Sequence, residues 1–73
     1  MNYLIIGYGG IAQALTQQIN QKPGCFVTVI SRQPHPELTY TIQADATQPE
    51  ELKEALSQLQ GKPDIIINTI GVL

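Results

Sequence analysis

The sequence contains one cysteine and one histidine among its 73 residues. Cys25 therefore has no partner for an internal disulfide, and together with His35 it supplies too few ligands for a zinc site. We expect Cys25 to be a small apolar residue that opens a strand. A chain this short that has neither an internal disulfide nor a zinc site has to stabilise its fold with an apolar core.

Charged residues are also scarce, at 14% of the chain, and they give a net charge of −2. Because no stripe of lysine and arginine is present, we do not expect a nucleic-acid partner. The apolar runs are far shorter than the ~20 residues of a membrane span. No charged leader and cleavage site precede the first apolar run, which predicts a cytoplasmic protein. The apolar fraction of 42% is too high for a disordered segment.

Short runs rich in β-branched residues alternate with segments of helical periodicity. Most of these runs are continuously apolar, as in strands that are covered on both faces of a parallel sheet. The third run alternates more, which indicates a half-exposed edge strand. The predicted strands comprise residues 3–6, 25–30, 38–42 and 64–70.

Two helices are predicted between these strands. In the first, Ile11, Leu15 and Ile19 recur at helical spacing with Ala12 beside them, and the segment 22–24 (Lys-Pro-Gly) ends it. The second begins with a predicted capping box from Thr47 to Glu50, with Pro49 in the first turn. Its expected buried stripe is formed by Leu52, Ala55, Leu56 and Leu59, and it ends at Gly61 and Pro63.

The order β-α-β-β-α-β predicts an α/β fold with a parallel sheet and right-handed crossovers. We expect half of a doubly wound sheet with the strand order 3-2-1-4. No internal repeat or linker divides the chain, so residues 1–73 are predicted to form one half-domain.

A glycine-rich pattern, Gly7-x-Gly9-x-x-Ala12, lies between the first predicted strand and the first predicted helix. Gly7 permits a tight turn, and a glycine at position 9 or 10 lets a pyrophosphate approach the main chain. The start of the helix then offers unpaired N–H groups to the phosphates. This context predicts a dinucleotide site; the alternative is a glycine-rich turn that binds nothing.

The residue that selects the cofactor lies ~20 positions beyond this pattern. Counting from Ala12 leads to Arg32, and no acidic residue stands between Cys25 and Pro36. Arginine can bind a 2′-phosphate with its forked guanidinium, and Ser31 can add a hydrogen bond. The sequence therefore favours NADP(H) over NAD(H); the alternative is an ordinary surface arginine.

Three segments resemble the short-chain dehydrogenases/reductases. Residues 5–12 are similar to the family's glycine-rich segment, although one residue tighter and with Ala12 for the last glycine. Residues 43–47 resemble its Asp-Val-Thr segment, and residues 64–71 resemble its fourth strand. Within the family, the end of that strand looks closest to a compact subgroup that reads Asn-Cys-Val-Gly-x-Leu.

The resemblance implies roles for several residues. Asp45, with its neighbour Ala46, would meet the adenine amino group. Asn68 would support the central strand, and Ile70 and Gly71 would form the floor beneath the nicotinamide ribose. Asp45 is alternatively a helix-start carboxylate, and Asn68 a turn residue. The candidate cofactor-binding residues are therefore Gly7, Tyr8, Gly9, Gly10, Ile11, Ser31, Arg32, Asp45, Ala46, Asn68, Ile70 and Gly71.

The family's catalysis requires a tyrosine four residues before a lysine, and this chain has no such pair after Tyr3, Tyr8 or Tyr40. We therefore expect the chain to be a portion of a carbonyl or alcohol oxidoreductase that is cut before the catalytic segment. Such a portion would be inactive by itself. The glutamates of the second helix are interpreted as a solvated face, not as a metal site. His35 is interpreted as a loop residue with no partner that would make it a base.

The fourth strand is expected to lie at an open edge of the sheet. An apolar edge formed by Ile65, Ile66, Ile67 and Ile70 would favour pairing with another chain. We therefore predict a homo-oligomer, such as a two-fold dimer with a continuous sheet. A non-catalytic assembly module and a nucleotide sensor remain as alternative functions.

Overall fold

The secondary structure follows the predicted order of strands and helices. A computed structural model describes residues 1–38 and 40–70 of the chain. The elements in these ranges are β1 (Asn2–Ile6), α1 (Gly10–Asn20), β2 (Phe26–Ser31), β3 (Thr41–Gln43), α2 (Pro49–Ser57) and β4 (Ile65–Asn68).

The four strands form one parallel sheet in the order β3-β2-β1-β4. Tyr3 of β1 is level with Val27 of β2 on one side and with Ile65 of β4 on the other. The predicted α/β class and strand order are confirmed, and the arrangement is half of a Rossmann-like fold.

The two helices cover opposite faces of the sheet. On one face, Ile5 and Val29 pack in a cluster with Ala12 and Ile19 of α1. On the other face, Leu4 packs in a cluster with Ile30 and with Ala55 of α2, together with residues that include Ile42 and Leu52. Successive strand residues point to opposite faces, so adjacent residues such as Leu4 and Ile5 serve two different cores.

The buried stripe of α1 differs from the predicted one. Ala12, Thr16 and Ile19 are buried, whereas the side chain of Ile11 is 75% exposed. Positions 12, 16 and 19 lie on one helical face, and position 11 falls about 100° away from Ala12. The Thr16 hydroxyl has no hydrogen-bond partner among the described residues.

The start of α2 also differs from the prediction. The helix begins at Pro49, as expected, but its N-cap residue is Gln48, and no side chain caps it. The predicted capping box is wrong because the Thr47 hydroxyl donates to the nearby Asp45 carboxylate at 2.6 Å. Glu51, not Glu50, reaches back, and its carboxylate accepts the Asp45 N–H at 3.0 Å.

Two further sequence predictions need correction. Leu56 was expected in the buried stripe of α2, but it is 40% exposed, and Ala55 is the buried residue of this helix. The third strand begins at Thr41, three residues later than predicted. Leu38 instead closes a turn, since its N–H donates to the His35 carbonyl oxygen, and it packs against the core on the α1 face.

Candidate functional site

A cleft of about 330 Å³ lies at the carboxyl ends of the strands. In open α/β sheets ligands bind at this edge, where the strand order reverses. Here the reversal lies at β1, because β2 and β3 extend to one side of it and β4 pairs on the other. The cleft is lined by Gly7, Tyr8, Ile30, Ser31, Arg32, Gln33, His35, Ala44, Asp45, Ala46, Thr47 and Ile70.

Gly7 forms the turn that leads from β1 to α1. Its φ angle is +94°, a conformation that side chains with a Cβ rarely adopt. A Cβ atom at this position would lie 2.6 Å from Cγ2 of Ile70 and 2.7 Å from Oγ1 of Thr69. Its N–H donates to the Ile30 carbonyl oxygen at 2.7 Å. Only glycine therefore fits here without displacing the end of β4.

Gly9 and Gly10 differ from Gly7, because both lie in open space. A Cβ atom at either position would meet no heavy atom within 4 Å. Gly9 is the N-cap residue of α1, no side chain caps the helix, and its first turn contains no acidic residue. Within the described residues, no side chain therefore accepts a hydrogen bond from the main-chain N–H groups at this end of the helix, and no carboxylate of the first turn offsets the positive end of its dipole.

The end of β4 is tied to the end of β1 by hydrogen bonds. The N–H and the hydroxyl of Thr69 both donate to the Ile6 carbonyl oxygen, at 2.9 and 2.8 Å. The amide oxygen of Asn68 accepts the Ile70 N–H at 3.0 Å, the interaction expected of a turn residue. The role of Asn68 and Ile70 beside a cofactor stays a prediction, and Gly71 lies outside the described residues.

Ser31 and Arg32 lie where β2 ends. Ser31 is half-buried, whereas Arg32 is exposed at the cleft. Within the described residues, the one basic side chain closer than 4 Å to a carboxylate is that of His35, beside Glu37, so no carboxylate neutralises the Arg32 guanidinium at contact distance. An anion in the cleft therefore has a cation available to it.

Asp45 faces this arginine from the end of β3. The hydroxyl and the N–H of Thr47 both donate to the Asp45 carboxylate, and these bonds, with a smaller contribution from the Arg32 charge, lower the pKa of Asp45 from its ordinary 3.8. Asp45 thus stabilises the turn before α2. This role is close to the alternative interpretation of Asp45 as a carboxylate at the start of a helix. It also lines the cleft, where its proposed contact with adenine remains a prediction.

His35 is a cleft residue whose importance sequence reasoning missed. Its Nε2 lies 3.2 Å from the Ser31 hydroxyl oxygen, its Nδ1 lies 3.3 Å from the Glu37 carboxylate, and its ring lies 4.5 Å from the Tyr8 ring, centroid to centroid. The expectation that His35 has no partner is wrong. The available signal was the pair of prolines on either side of it, which restrict the loop backbone.

The structure brings together most of the predicted site residues. Gly9, Gly10, Ile11 and Asn68 do not line the cleft itself. The exposed Ile11 lies in the first turn of α1, directly after the two open glycines. The predicted residues that do line the cleft are Gly7, Tyr8, Ser31, Arg32, Asp45, Ala46 and Ile70.

Comparison of the chain with protein-family models, curated proteins and solved structures finds no match. Within residues 1–38 and 40–70, no three His, Cys, Asp or Glu side chains are grouped as metal ligands. The helices in the same part of the chain are too short or too polar to cross a membrane.

Proposed function

We propose that this chain is the NADP(H)-binding portion of an oxidoreductase of the short-chain dehydrogenase/reductase type. One observation carries the proposal: Gly7 and Tyr8 of the glycine turn line the same cleft as the Arg32 cation, and the uncovered Gly9 and Gly10 follow them directly at the start of α1. A dinucleotide phosphate needs both features, since main-chain N–H groups bind its pyrophosphate and a forked cation binds its 2′-phosphate.

Each part of the cofactor has a place along the cleft in this proposal. The pyrophosphate lies on the turn from Gly7 to Gly10, with the Tyr8 ring beside it. The 2′-phosphate lies against Ser31 and Arg32. Adenine lies near Asp45 and Ala46 at the end of β3, and the nicotinamide ribose lies towards Ile70 at the end of β4. Across the sheet edge from β3 to β4, the parts of the cofactor therefore come in the order adenine, 2′-phosphate, pyrophosphate and nicotinamide ribose.

The chain's own contribution is to bind and orient the cofactor. The cofactor, when bound, supplies the hydride. Because no tyrosine of this sequence precedes a lysine by four residues, the chain lacks the acid–base pair of the family it resembles. We therefore propose that it does not reduce a carbonyl by itself.

Calorimetric titration with NADP(H) and NAD(H) tests the proposal. Wild type is expected to bind NADP(H) more tightly, and Arg32→Asp is expected to lower NADP(H) affinity about tenfold to a hundredfold while affecting NAD(H) far less. Lys22→Asp is the matched control, because it makes the same charge change at an exposed residue outside the cleft. A preference for NAD(H) that Arg32→Asp leaves unchanged would refute the NADP(H) assignment.

A self-assembling module is the second candidate function. It is favoured by β4, an edge strand on which Ile65 is 37% and Ile66 is 59% exposed. Apolar edge strands pair readily with other chains. Self-association through β4 is compatible with cofactor binding, since the cleft lies at the ends of the strands and not along this edge.

A further inference from the structure

The loop after β2 places an imidazole in the cleft beside the cation. His35 is only 19% exposed, and three groups hold its ring: Tyr8 from the turn between β1 and α1, Ser31 from the end of β2 and Glu37 from the same loop. One ring nitrogen lies near the Ser31 hydroxyl and the other near the Glu37 carboxylate. The two partners orient the ring and define what each nitrogen can do.

We propose that His35 is a third binding group for a phosphate monoester, acting with Ser31 and Arg32. The inference rests on the proposed function, which assigns the 2′-phosphate of NADP(H) to Ser31 and Arg32, and it adds a residue that determines specificity for that phosphate. The position of Nε2 carries the inference, because this atom lies 3.2 Å from the Ser31 hydroxyl oxygen and both residues line the cleft.

The hydrogen-bond roles explain how the imidazole favours a phosphate. The Glu37 carboxylate lies 3.3 Å from Nδ1 and favours a proton on that nitrogen, whereas Nε2 interacts with Ser31. If Nε2 carries no proton, it accepts the Ser31 O–H, and this hydroxyl has no proton left for a phosphate oxygen. If Nε2 carries a proton, it donates to Ser31 or to the phosphate, and the Ser31 O–H can also turn towards the phosphate. A phosphate is therefore bound best when His35 holds both protons.

The charges around His35 favour this state once the anion is present. The Glu37 carboxylate lies 3.3 Å from Nδ1, and Asp45 adds a further carboxylate on the cleft. Arg32, which also lines the cleft, is a like charge to an imidazolium. A bound phosphate separates and neutralises these two cations. The Tyr8 ring packs against the imidazole, with 4.5 Å between the ring centroids. NADP(H) binding is thus expected to recruit a proton to His35, whereas NAD(H) binding is not.

Two substitutions separate the chemistry of His35 from its packing. His35→Ala is expected to weaken NADP⁺ binding about tenfold and to leave NAD⁺ binding within twofold, since a charge-assisted hydrogen bond is lost only with the phosphate. His35→Gln is expected to recover a large part of that loss, because its amide N–H can reach the position of Nε2. The same titrations with 2′,5′-ADP and 5′-AMP report on the phosphate without the nicotinamide half.

Proton uptake on cofactor binding is a second measurement. A histidine with only a packing role would not produce it. Titrating wild type with NADP⁺ at pH 7.5, in two phosphate-free buffers of different ionisation enthalpy, is expected to show a fraction of a proton taken up on binding. This uptake is expected to be absent with NAD⁺ and absent in His35→Gln. If His35→Ala fails to fold, as judged by circular dichroism, the wild-type and His35→Gln titrations still decide the matter.

The outcomes distinguish this inference from the function on which it rests. A wild-type chain that binds neither dinucleotide overturns the proposed function, and the role of His35 with it. A wild-type chain that prefers NADP⁺, with a preference that survives His35→Ala and no proton uptake, overturns the role of His35 alone.

Discussion

The glycines of the turn between β1 and α1 differ in what the fold requires of them. Gly7 is needed by the fold, because it has a positive φ angle and lies against Ile70 and Thr69. Gly9 and Gly10 face open space, and the fold leaves room for a side chain at either position. The proposed function gives a reason for glycine at these two positions, since it requires a ligand that approaches the main chain.

Alanine substitutions test this difference between the glycines. Gly7→Ala is expected to lower the free energy of unfolding by about 2–4 kcal/mol, from backbone strain and from the clash with the end of β4. Gly10→Ala is expected to leave stability unchanged within about 0.5 kcal/mol, or slightly raised, but to weaken NADP(H) binding. Urea unfolding and calorimetry measure the two effects. Equal loss of stability in both variants would contradict the assignment.

The Asp45 carboxylate links the stability of the fold to acid. Hydrogen bonds from Thr47 lower the pKa of Asp45 below 3.8, so the folded chain binds this proton less readily than the unfolded chain does. The stabilisation is therefore fully present above the ordinary pKa and is lost as the pH falls towards and through the lowered value.

Urea unfolding between about pH 5 and pH 3 tests this linkage. The free energy of unfolding is expected to fall more steeply for wild type than for Asp45→Asn, because asparagine can still accept from Thr47 but does not titrate. Parallel pH profiles for the two proteins would show that Asp45 contributes no acid dependence.

At the scale of elements, the most exposed apolar strand is β4. Ile66 is level with Leu4 of β1, on the face that α2 covers. Because α2 contains only nine residues and packs over Leu4 and Ile30, Ile66 stays 59% exposed. The outer edge of β4 also presents main-chain groups for pairing.

Ile66→Lys is expected to abolish self-association of the chain, since a charged residue on an edge strand opposes pairing with another strand. Ile11→Lys is the matched control, because it introduces the same charge at another exposed isoleucine, on α1 and away from the sheet edge. Sedimentation velocity measures the outcome. A wild-type chain that sediments as a monomer at all concentrations tested would contradict the prediction.

At the scale of the molecule, a small core carries the fold. The Cα radius of gyration is 11.4 Å, close to the ~11 Å expected for a folded chain of this length. Yet the buried apolar residues in ranges 1–38 and 40–70 are few, and they are divided between two faces of the sheet. We therefore expect low intrinsic stability and a strong response to any ligand that binds only the folded state.

NADP(H) is expected to raise the free energy of unfolding by about 2.7 kcal/mol at a ligand concentration of 100 Kd. Chemical unfolding with and without the cofactor measures this effect. NAD(H) at the same concentration is expected to stabilise less, because its affinity is lower. Arg32→Asp is expected to remove the difference between the two cofactors. A midpoint that neither cofactor shifts would argue against binding in the cleft.

Sequence pattern alone was sufficient for the architecture and for much of the candidate site. Continuous apolar runs joined by helical segments indicated a parallel sheet in the order 3-2-1-4, and the structure confirms it. Local chemistry also indicated the glycine turn and Arg32, because parallel strands bring their carboxyl ends to one edge of the sheet. These features depend on periodicity and chain direction, which are written in the sequence itself.

Tertiary structure decided the features that depend on competition between neighbours. Thr47 had two possible partners, and the Asp45 carboxylate bound it instead of the helix start. The close approach of α1 buried Ala12 and Thr16 and left Ile11 exposed. The position of His35 depends on how its loop packs against Ser31 and Tyr8. Some of these contacts join near neighbours in the sequence and others, such as that of Tyr8 with His35, join separate segments. In both cases their distances are set by packing, which a linear pattern does not contain.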